Sequence, residues 1–221
     1  MSQSVPVLRP AIGDDQLPAG LSHLQRFKLA AAAGFEGVEM RTSLHSDEVD
    51  EIRETAITAG IQIHSVKSVL SWQFPLSSPD RKVAARGVDE LLIALNNAHR
   101  WGADTVLVVA GIVDAQTSHE QAYVRSQEII RREVLPVAEE LGIVLAIENV
   151  WSGFLISPVE YARYIDEFDS PWVRAYLDVG NMIFGYPEHW VRTVGARTIK
   201  LHIKDLSFEM AKKRFAWSLI G

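Results

Sequence analysis

The sequence contains no cysteine among its 221 residues, which excludes disulfide bonds and thiolate metal sites. It also contains no apolar run of the ~18 residues that a membrane-spanning helix requires. The first residues, MSQSVPVLRPAIG, show no basic segment followed by an apolar core, so no signal peptide is expected. These absences predict a cytoplasmic protein that does not associate with membranes.

Positive charge is scarce as well. The formal net charge is -6, whereas proteins that bind nucleic acids usually present a basic face, so no nucleic-acid partner is expected. Apolar residues make up 48% of the chain and charged residues 23%, which is a globular composition. The length suits one domain with a sizeable core, and we expect residues 1–221 to form a single domain.

A helical pattern that ends in glycine and leads at once into a short apolar strand recurs along the chain. It is visible in AAAAGFEGVEM, ETAITAGIQIHSV, HRWGADTVLVVAG and ELGIVLAIEN. Glycine is typical just past a helix end because it adopts the left-handed conformation at little cost. The pattern predicts helices at 22–33, 46–59, 79–100, 118–141, 157–168 and 187–195. It predicts strands at 35–40, 61–66, 104–109, 143–148, 173–178 and 198–203, and a weak first strand between Val5 and Ile12.

Alternating strands and helices predict parallel strands with right-handed crossovers, which fits an open doubly wound sheet or a (βα)8 barrel. A doubly wound nucleotide-binding sheet would need a glycine-rich loop after its first strand, and neither GxGxxG nor GxxxxGK is present. Polar residues recur instead at the C-terminal ends of strands, where barrels carry their active sites. They are Glu39, His64, Glu148, Asp178 and His202. We therefore predict an α/β fold of the TIM-barrel type.

Glu148, Asp178 and His202 are predicted to lie at the same level of three consecutive strands. Side chains alternate along a strand, so Glu148 shares a face with Ala146, Asp178 with Tyr176, and His202 with Lys200, and all three faces are expected to point inward. Taken singly, each is more often a cap, an ion-pair partner or a structural hydrogen-bonding residue than a ligand. Taken together, two carboxylates and an imidazole are a suitable ligand set for a divalent ion.

The motifs around these residues resemble those of a known family. GFEGVEMR, LAIENVW and AYLDVGNMIFGYPEHWVRTVGARTIKLHIKDL are similar to segments of the sugar phosphate isomerase/epimerase family, which has a xylose isomerase-like barrel. The similarity is greatest to its hexulose-6-phosphate isomerase and L-ribulose- or L-xylulose-5-phosphate 3-epimerase branch, and it extends to the ketose 3-epimerases. It implies an isomerase or epimerase of a ketose or ketose phosphate in carbohydrate metabolism, assembled as a homo-oligomer.

The resemblance also implies a site. The family holds one divalent metal with Glu, Asp, His and a second Glu, and the first three correspond to Glu148, Asp178 and His202. Mn²⁺ is the favoured ion, with Mg²⁺, Co²⁺ and Zn²⁺ also open. Glu148 is implied to be both ligand and catalytic base, removing a proton next to a carbonyl while the metal stabilises the enediolate. Asn181, three residues after the Asp, stands at a substrate-contacting position where the ketose epimerases often have His.

Four further residues are candidate substrate contacts, each with a structural alternative. His64 and Glu39 end strands at the predicted mouth and could reach a sugar hydroxyl. Trp72, in the loop after the third predicted strand, could cover the substrate or simply pack on the next helix. Lys204 could bind a phosphate or hydroxyl, or form a salt bridge with a neighbour.

The family's second metal-binding glutamate lies at the end of strand 8, and the sequence resembles the family only as far as the loop after strand 7. We therefore expect an incomplete barrel of about seven strands without strand 8 and the last helices, as a gene fragment or a frameshift would produce. Such a sheet would keep unpaired edges and exposed apolar faces, which favour poor solubility or dimerisation. With three protein ligands, metal affinity should drop and a two-base epimerisation should fail.

Two other hypotheses remain. The chain could be a non-catalytic truncated barrel that binds a sugar or a protein partner, which the expected absence of strand 8 favours. It could also be an apurinic-site endonuclease of the same superfamily, which uses three zinc ions. The net charge of -6 and the few histidines at strand ends argue against the endonuclease.

Overall fold

A single sheet of seven parallel strands organises the protein. The structure, a computed structural model, describes residues 8–182, 185–206 and 217–218. The strands are β1 (Ala11–Gly13), β2 (Gly37–Arg41), β3 (Gln62–Lys67), β4 (Thr105–Val108), β5 (Val144–Glu148), β6 (Val173–Asp178) and β7 (Thr198–His202). Each strand pairs in parallel with the next one along the chain. This order is that of a (βα)8 barrel, and the predicted fold class is confirmed.

Helices connect the strands as right-handed crossovers require. They are α1 (His23–Ala32), α2 (Ser46–Ala59), α3 (Arg81–Trp101), α4 (His119–Ile129), α5 (Leu135–Leu141), α6 (Pro158–Asp166) and α7 (Pro187–Val194). Apart from the predicted helix at 118–141, which corresponds to α4 and α5 together, these bounds lie within two residues of the predicted ones, and so do those of β2 to β7. The first strand lies later than predicted, at Ala11–Gly13, and Val5 falls outside the described residues.

Capping residues explain where most helices begin and end. Ser118 forms a capping box with Gln121, in which each side chain bonds the backbone of the other residue. The helix predicted at 79–100 is capped by Asp80, whose carboxylate accepts from the backbone of Lys82. The left-handed glycines that end α2, α3 and α5 are Gly60, Gly102 and Gly142.

The predicted helix at 118–141 is divided. Residues Ile130–Val134 form a π-helical segment between α4 and α5. Pro136 lies just beyond it and has no N–H with which to bond the carbonyl of Arg132, four residues earlier. The helix is therefore disrupted next to Pro136, and the disruption takes the form of a wider helical turn.

The apolar residues divide between the two faces of the sheet. The larger cluster lies between the strands and the helices, and contains for example Val106, Leu145 and Leu177. A smaller cluster on the concave face includes Leu107, Ala146, Tyr176 and Val109. The concave face is thus filled at mid-depth by a few side chains, and polar residues occupy its rim.

The sheet is curled but does not close within the described residues, because β1 and β7 are both edge strands. The outer face of β7, continued by Ile203 just past the end of the strand, is exposed: Ile199 by 38%, Leu201 by 37% and Ile203 by 63%. This agrees with the apolar face expected for an incomplete barrel. A separate two-stranded antiparallel sheet, Asp205–Leu206 (β8) with Trp217–Ser218 (β9), was not predicted. None of the helices described is both long enough and apolar enough to cross a membrane.

Candidate metal centre

Three adjacent strands bring Glu148, Asp178 and His202 together at the C-terminal end of the sheet. Asp178 and His202 are directly opposite in the pairing of β6 with β7. One ligand atom from each of the three residues lies within 4.8 Å of the other two. His202 Nδ1 lies 2.8 Å from Glu148 Oε1 and 3.7 Å from Asp178 Oδ2. The juxtaposition expected from side-chain alternation is therefore found.

A third carboxylate, that of Glu39 on β2, reaches the same imidazole from across the concave face of the curled sheet. Glu39 Oε2 lies 2.9 Å from His202 Nε2, although β2 and β7 are not neighbours in the sheet. Ser65 Oγ donates a hydrogen bond of 3.1 Å to the other oxygen of Glu39. Glu39 was predicted to contact a substrate hydroxyl, but in this structure both of its oxygens are engaged by protein groups.

Charge governs the protonation of this cluster. Burial raises the pKa of Glu39, but the hydrogen bond and charge of His202 outweigh burial and lower it to about 2. Burial lowers the pKa of His202, but its three carboxylate neighbours raise it to about 11. Burial raises the pKa of Glu148, and the charges of Asp178 and Glu39 add to this effect. Glu148 is therefore the one carboxylate of the three whose pKa is raised, and it accepts a proton more readily than Glu39 or Asp178 does.

Lys204 pairs with the buried carboxylate of Asp178 at 2.6 Å. Burial raises the pKa of Asp178, but contacts with His202 and Lys204 lower it below its ordinary value. Of the two sequence-based interpretations of Lys204, the salt bridge is therefore the one that the structure contains. With Glu39 and Glu148 ionised, three carboxylates face two cationic groups, and the cluster retains a negative charge.

An asparagine pair fixes the backbone and carboxylate of Asp178. Asn149 Oδ1 accepts from Asp178 N at 2.7 Å, and Asn149 Nδ2 donates to Asp178 O at 2.9 Å. Asn181 N donates to Asp178 Oδ1 at 3.0 Å, while its side-chain Nδ2 donates to Asn149 O at 2.8 Å. Trp151 Nε1 completes the group with a bond to Asn181 O at 2.9 Å. Asn181, predicted to contact substrate, thus also positions Asp178.

Asn149 was not singled out from the sequence. Its position immediately after Glu148 is the one available signal, because a residue there can reach the end of the adjacent strand. Its reciprocal hydrogen bonds to Asp178 depend on how β5 and β6 end, which alternation alone does not specify.

His64 lies at a bulge that changes its expected direction. The β2–β3 register shifts between Val38 and Glu39, so that Ser65 rather than His64 is paired with Glu39. His64 Nε2 contacts Ser65 Oγ at 3.4 Å. Lys200, which pairs with Asp104 at 2.9 Å, is the charge that acts most strongly on His64. His64 is therefore near the cluster but does not contact His202 directly.

Trp72 projects from the loop between β3 and α3 and is 54% exposed. The base of this loop is anchored by buried Glu90, which accepts from Ser68 Oγ at 2.5 Å and from Val69 N at 3.0 Å. The exposed ring is available to a ligand at the mouth, as a covering residue would be.

The cluster has the donor chemistry of a divalent-ion site. Carboxylate oxygens and an imidazole nitrogen are the ligands that Mn²⁺, Co²⁺ and Zn²⁺ accept, and Mg²⁺ accepts the oxygens. The excess of negative charge in a buried setting also favours a cation, since unpaired buried carboxylates are costly. Glu148, Asp178 and His202 would hold the ion.

Comparison with protein families shows the family to which the chain belongs. The family described as "Xylose isomerase-like TIM barrel" matches residues 27–218, and the chain belongs to this family. The resemblance drawn from the strand motifs is thereby confirmed.

The chain is also similar in sequence to individual named proteins. The chain is 26% identical to L-ribulose-5-phosphate 3-epimerase UlaE of Escherichia coli over 192 residues, which cover 82% of this chain and 66% of that protein. It is 25% identical to the putative L-ribulose-5-phosphate 3-epimerase SgbU of Haemophilus influenzae over 181 residues, 77% of this chain and 63% of the relative. The chain thus spans slightly less than two thirds of the length of these relatives.

Solved structures share the fold. An L-ribulose 3-epimerase superposes with a TM-score of 0.77 at 20% identity, covering 90% of this chain and 70% of that one. A D-psicose 3-epimerase, determined in the presence of D-fructose, gives a TM-score of 0.77 at 21% identity, covering 88% and 72%.

Asn149→Ala should lower the free energy of unfolding by about 1–3 kcal/mol, because it leaves the buried N–H and C=O of Asp178 without their partners. Chemical denaturation measures the change. Asn96→Ala is the matched control: Asn96 is exposed and donates only to Leu92 O within its own helix, so its change should stay within about 0.5 kcal/mol. Equal stability of the two variants would contradict the role given to Asn149.

His64 should remain neutral to low pH. Burial and the charge of Lys200 lower its pKa from 6.5 to about 4. Between those two values the unfolded chain binds a proton that the folded chain does not, so this residue reduces stability as pH falls through that window. A histidine NMR titration measures the pKa, and Lys200→Met should raise it. A pKa near 6.5 for His64 in the wild type would contradict the effects given to burial and to the charge of Lys200.

Proposed function

We propose that the chain is a divalent-metal-dependent isomerase or epimerase of a ketose or ketose phosphate. The observation that carries the proposal is the grouping of Glu148, Asp178 and His202 at the C-terminal ends of β5, β6 and β7. Active sites of barrels are built at that end of the sheet. The chain belongs to the xylose isomerase-like family, and matched relatives are named L-ribulose-5-phosphate 3-epimerases.

The chemistry follows from the donor set. A bound divalent ion would polarise the carbonyl and neighbouring hydroxyl of the sugar and stabilise negative charge on their oxygens. Glu148 is the proposed base: its carboxylate takes the proton from the carbon next to the carbonyl, and the C–H electron pair passes into the enediolate. Asp178 and His202 hold the ion in place, and Asn149 and Asn181 hold Asp178.

Where the proton returns decides the product. Return from Glu148 to the neighbouring carbon, with the hydroxyl proton passing to the former carbonyl oxygen, gives an isomer, and one base is enough for the transfer between the carbons. Return to the original carbon from the opposite face gives the epimer and requires an acid on that face. Among the described carboxylates of the cluster, Glu39 and Asp178 have pKa values lowered by their cationic neighbours, whereas the pKa of Glu148 is raised. These residues therefore support one-base proton transfer better than epimerisation.

The remaining parts of the proposal concern the ion, the substrate and the partners. Mn²⁺ is the proposed ion, with Mg²⁺, Co²⁺ and Zn²⁺ as alternatives. His64, Trp72 and Asn181 are the proposed sugar contacts, and Lys204 could move to a phosphate. We also infer a cytoplasmic protein, which the absence of cysteine suits, and one that associates with further copies of itself.

A non-catalytic barrel that binds a sugar or a protein partner is the second candidate. The exposed outer face of β7, with Ile199, Leu201 and Ile203, favours it, because such a face is typical of an interaction surface. Exchange of a carbon-bound proton with solvent separates the two candidates. L-Ribulose 5-phosphate incubated with the chain and Mn²⁺ in D₂O would acquire deuterium next to its carbonyl only if the chain is an enzyme.

The metal site is tested by calorimetric titration of Mn²⁺ into the 221-residue chain. We expect one site per chain, with affinity reduced in Glu148→Gln and Asp178→Asn by more than the roughly 10–100-fold typical of losing an outer-shell partner. Glu51→Gln, on the exposed surface of α2, is the matched control and should bind as the wild type does.

Two outcomes of this titration would oppose the proposal. Absence of Mn²⁺ binding to the folded wild-type chain would contradict the metal site. Equal binding by the wild type, Glu148→Gln and Asp178→Asn would place the ion elsewhere.

A further inference from the structure

We propose that Glu39 is a positioning residue that fixes the imidazole of His202 so that its Nδ1 faces Glu148 and Asp178. The inference deepens the proposed function and rests on it where metal affinity is concerned. It gives Glu39 a task different from the substrate contact predicted from its place at the end of a strand.

The two nitrogens of His202 are engaged on opposite sides of the ring. Nε2 lies 2.9 Å from Glu39 Oε2, and Nδ1 lies 2.8 Å from Glu148 Oε1. Rotating the ring by half a turn about the Cβ–Cγ bond would exchange nitrogens for carbons at both contacts. Both carboxylates would then face C–H groups, so the pair of hydrogen bonds selects one ring orientation.

Glu39 is itself held rigidly enough to impose that orientation. It is buried on β2, and Ser65 Oγ donates to its Oε1 at 3.1 Å. Ser65 reaches it because the β2–β3 register shifts between Val38 and Glu39, which pairs Ser65 with Glu39. The ring of Tyr176 packs against the imidazole of His202, with centroids 4.4 Å apart.

A carboxylate on the distal nitrogen has a defined consequence for a metal-binding histidine. When an ion takes the place of the proton on Nδ1, a carboxylate that accepts the Nε2–H would fix the tautomer in which Nδ1 is the ligand and make that nitrogen a stronger donor. In this chain Nδ1 is the nitrogen that faces Glu148 and Asp178. Glu39 thus presents the correct nitrogen without being one of the three grouped ligands.

The contact between Glu39 and His202 also affects the structure of the sheet. Glu39 and His202 are 163 positions apart in sequence and belong to strands that do not pair. Their hydrogen bond links β2 to the edge strand β7 across the mouth of the open sheet. A variant could therefore loosen β7 as well as the ring, and the experiment has to separate these effects.

Mn²⁺ titration of a graded set of variants separates them. Glu39→Ala removes the acceptor and should weaken binding roughly 10–100-fold. Glu39→Gln keeps the shape and one acceptor oxygen, so it should recover part of the affinity, and Ser65→Ala should have the smallest effect. Glu36→Ala, an exposed glutamate that pairs with Arg9, is the control and should match the wild type. Thermal unfolding of each variant reports the structural contribution.

Wild-type affinity in a folded Glu39→Ala chain would overturn the inference. If that variant does not fold, the same comparison is made with Glu39→Gln and Ser65→Ala, and unchanged affinity in both would overturn it.

A second readout does not require metal. In the metal-free wild type, NMR should show an imidazole Nε2–H signal of His202 that exchanges slowly with solvent, assigned by its loss in His202→Gln. The signal should persist in Glu148→Gln and disappear or exchange rapidly in Glu39→Ala. A wild-type chain that shows this pattern but binds no Mn²⁺ would refute the proposed function and leave the role of Glu39 supported. A signal that is indifferent to Glu39→Ala would refute the positioning role.

Discussion

The burial of three carboxylates around one imidazole is the constraint on which the rest of the site depends. Glu39, Glu148 and Asp178 would each be costly to remove from water alone. His202 contacts all three, and Lys204 adds a second positive charge at Asp178. The arrangement requires the curled sheet, because only curling brings β2 near β7. Fold and site are therefore coupled through a single side chain.

The same constraint gives the site its chemical character. A largely buried cluster with more carboxylates than cationic groups would favour a divalent ion, to which it offers strong, directional ligands. Its carboxylates are not equivalent, since Glu39 is held ionised by His202 while burial raises the pKa of Glu148. Neighbouring carboxylates in different environments commonly take different roles in enzymes. Here the carboxylate with the lowered pKa is Glu39, which lies on the far nitrogen of His202, and the one with the raised pKa is Glu148, which is the proposed base.

Much of the fold and the centre of the site could be predicted from the sequence, because both follow from short-range rules. Glycine at helix ends and runs of apolar residues located the elements, and side-chain alternation placed Asp178 and His202 at one level. Resemblance to a known family supplied the chemistry. The contact of Glu39 with His202 could not be predicted, since it depends on a bulge in β2–β3 and on the curl of the whole sheet. The hydrogen bonds between Asn149 and Asp178 likewise depend on how β5 and β6 end.

We propose that Glu148, Asp178 and His202 form one divalent-metal centre. Anomalous diffraction at the manganese absorption edge, from crystals grown with Mn²⁺, would locate the ion. We expect a single strong peak within coordination distance of one oxygen from each of these two carboxylates and of His202 Nδ1, with Glu39 still bonded to Nε2. A peak at another location, or none at this cluster while His202 keeps its contacts with all three carboxylates, would contradict it.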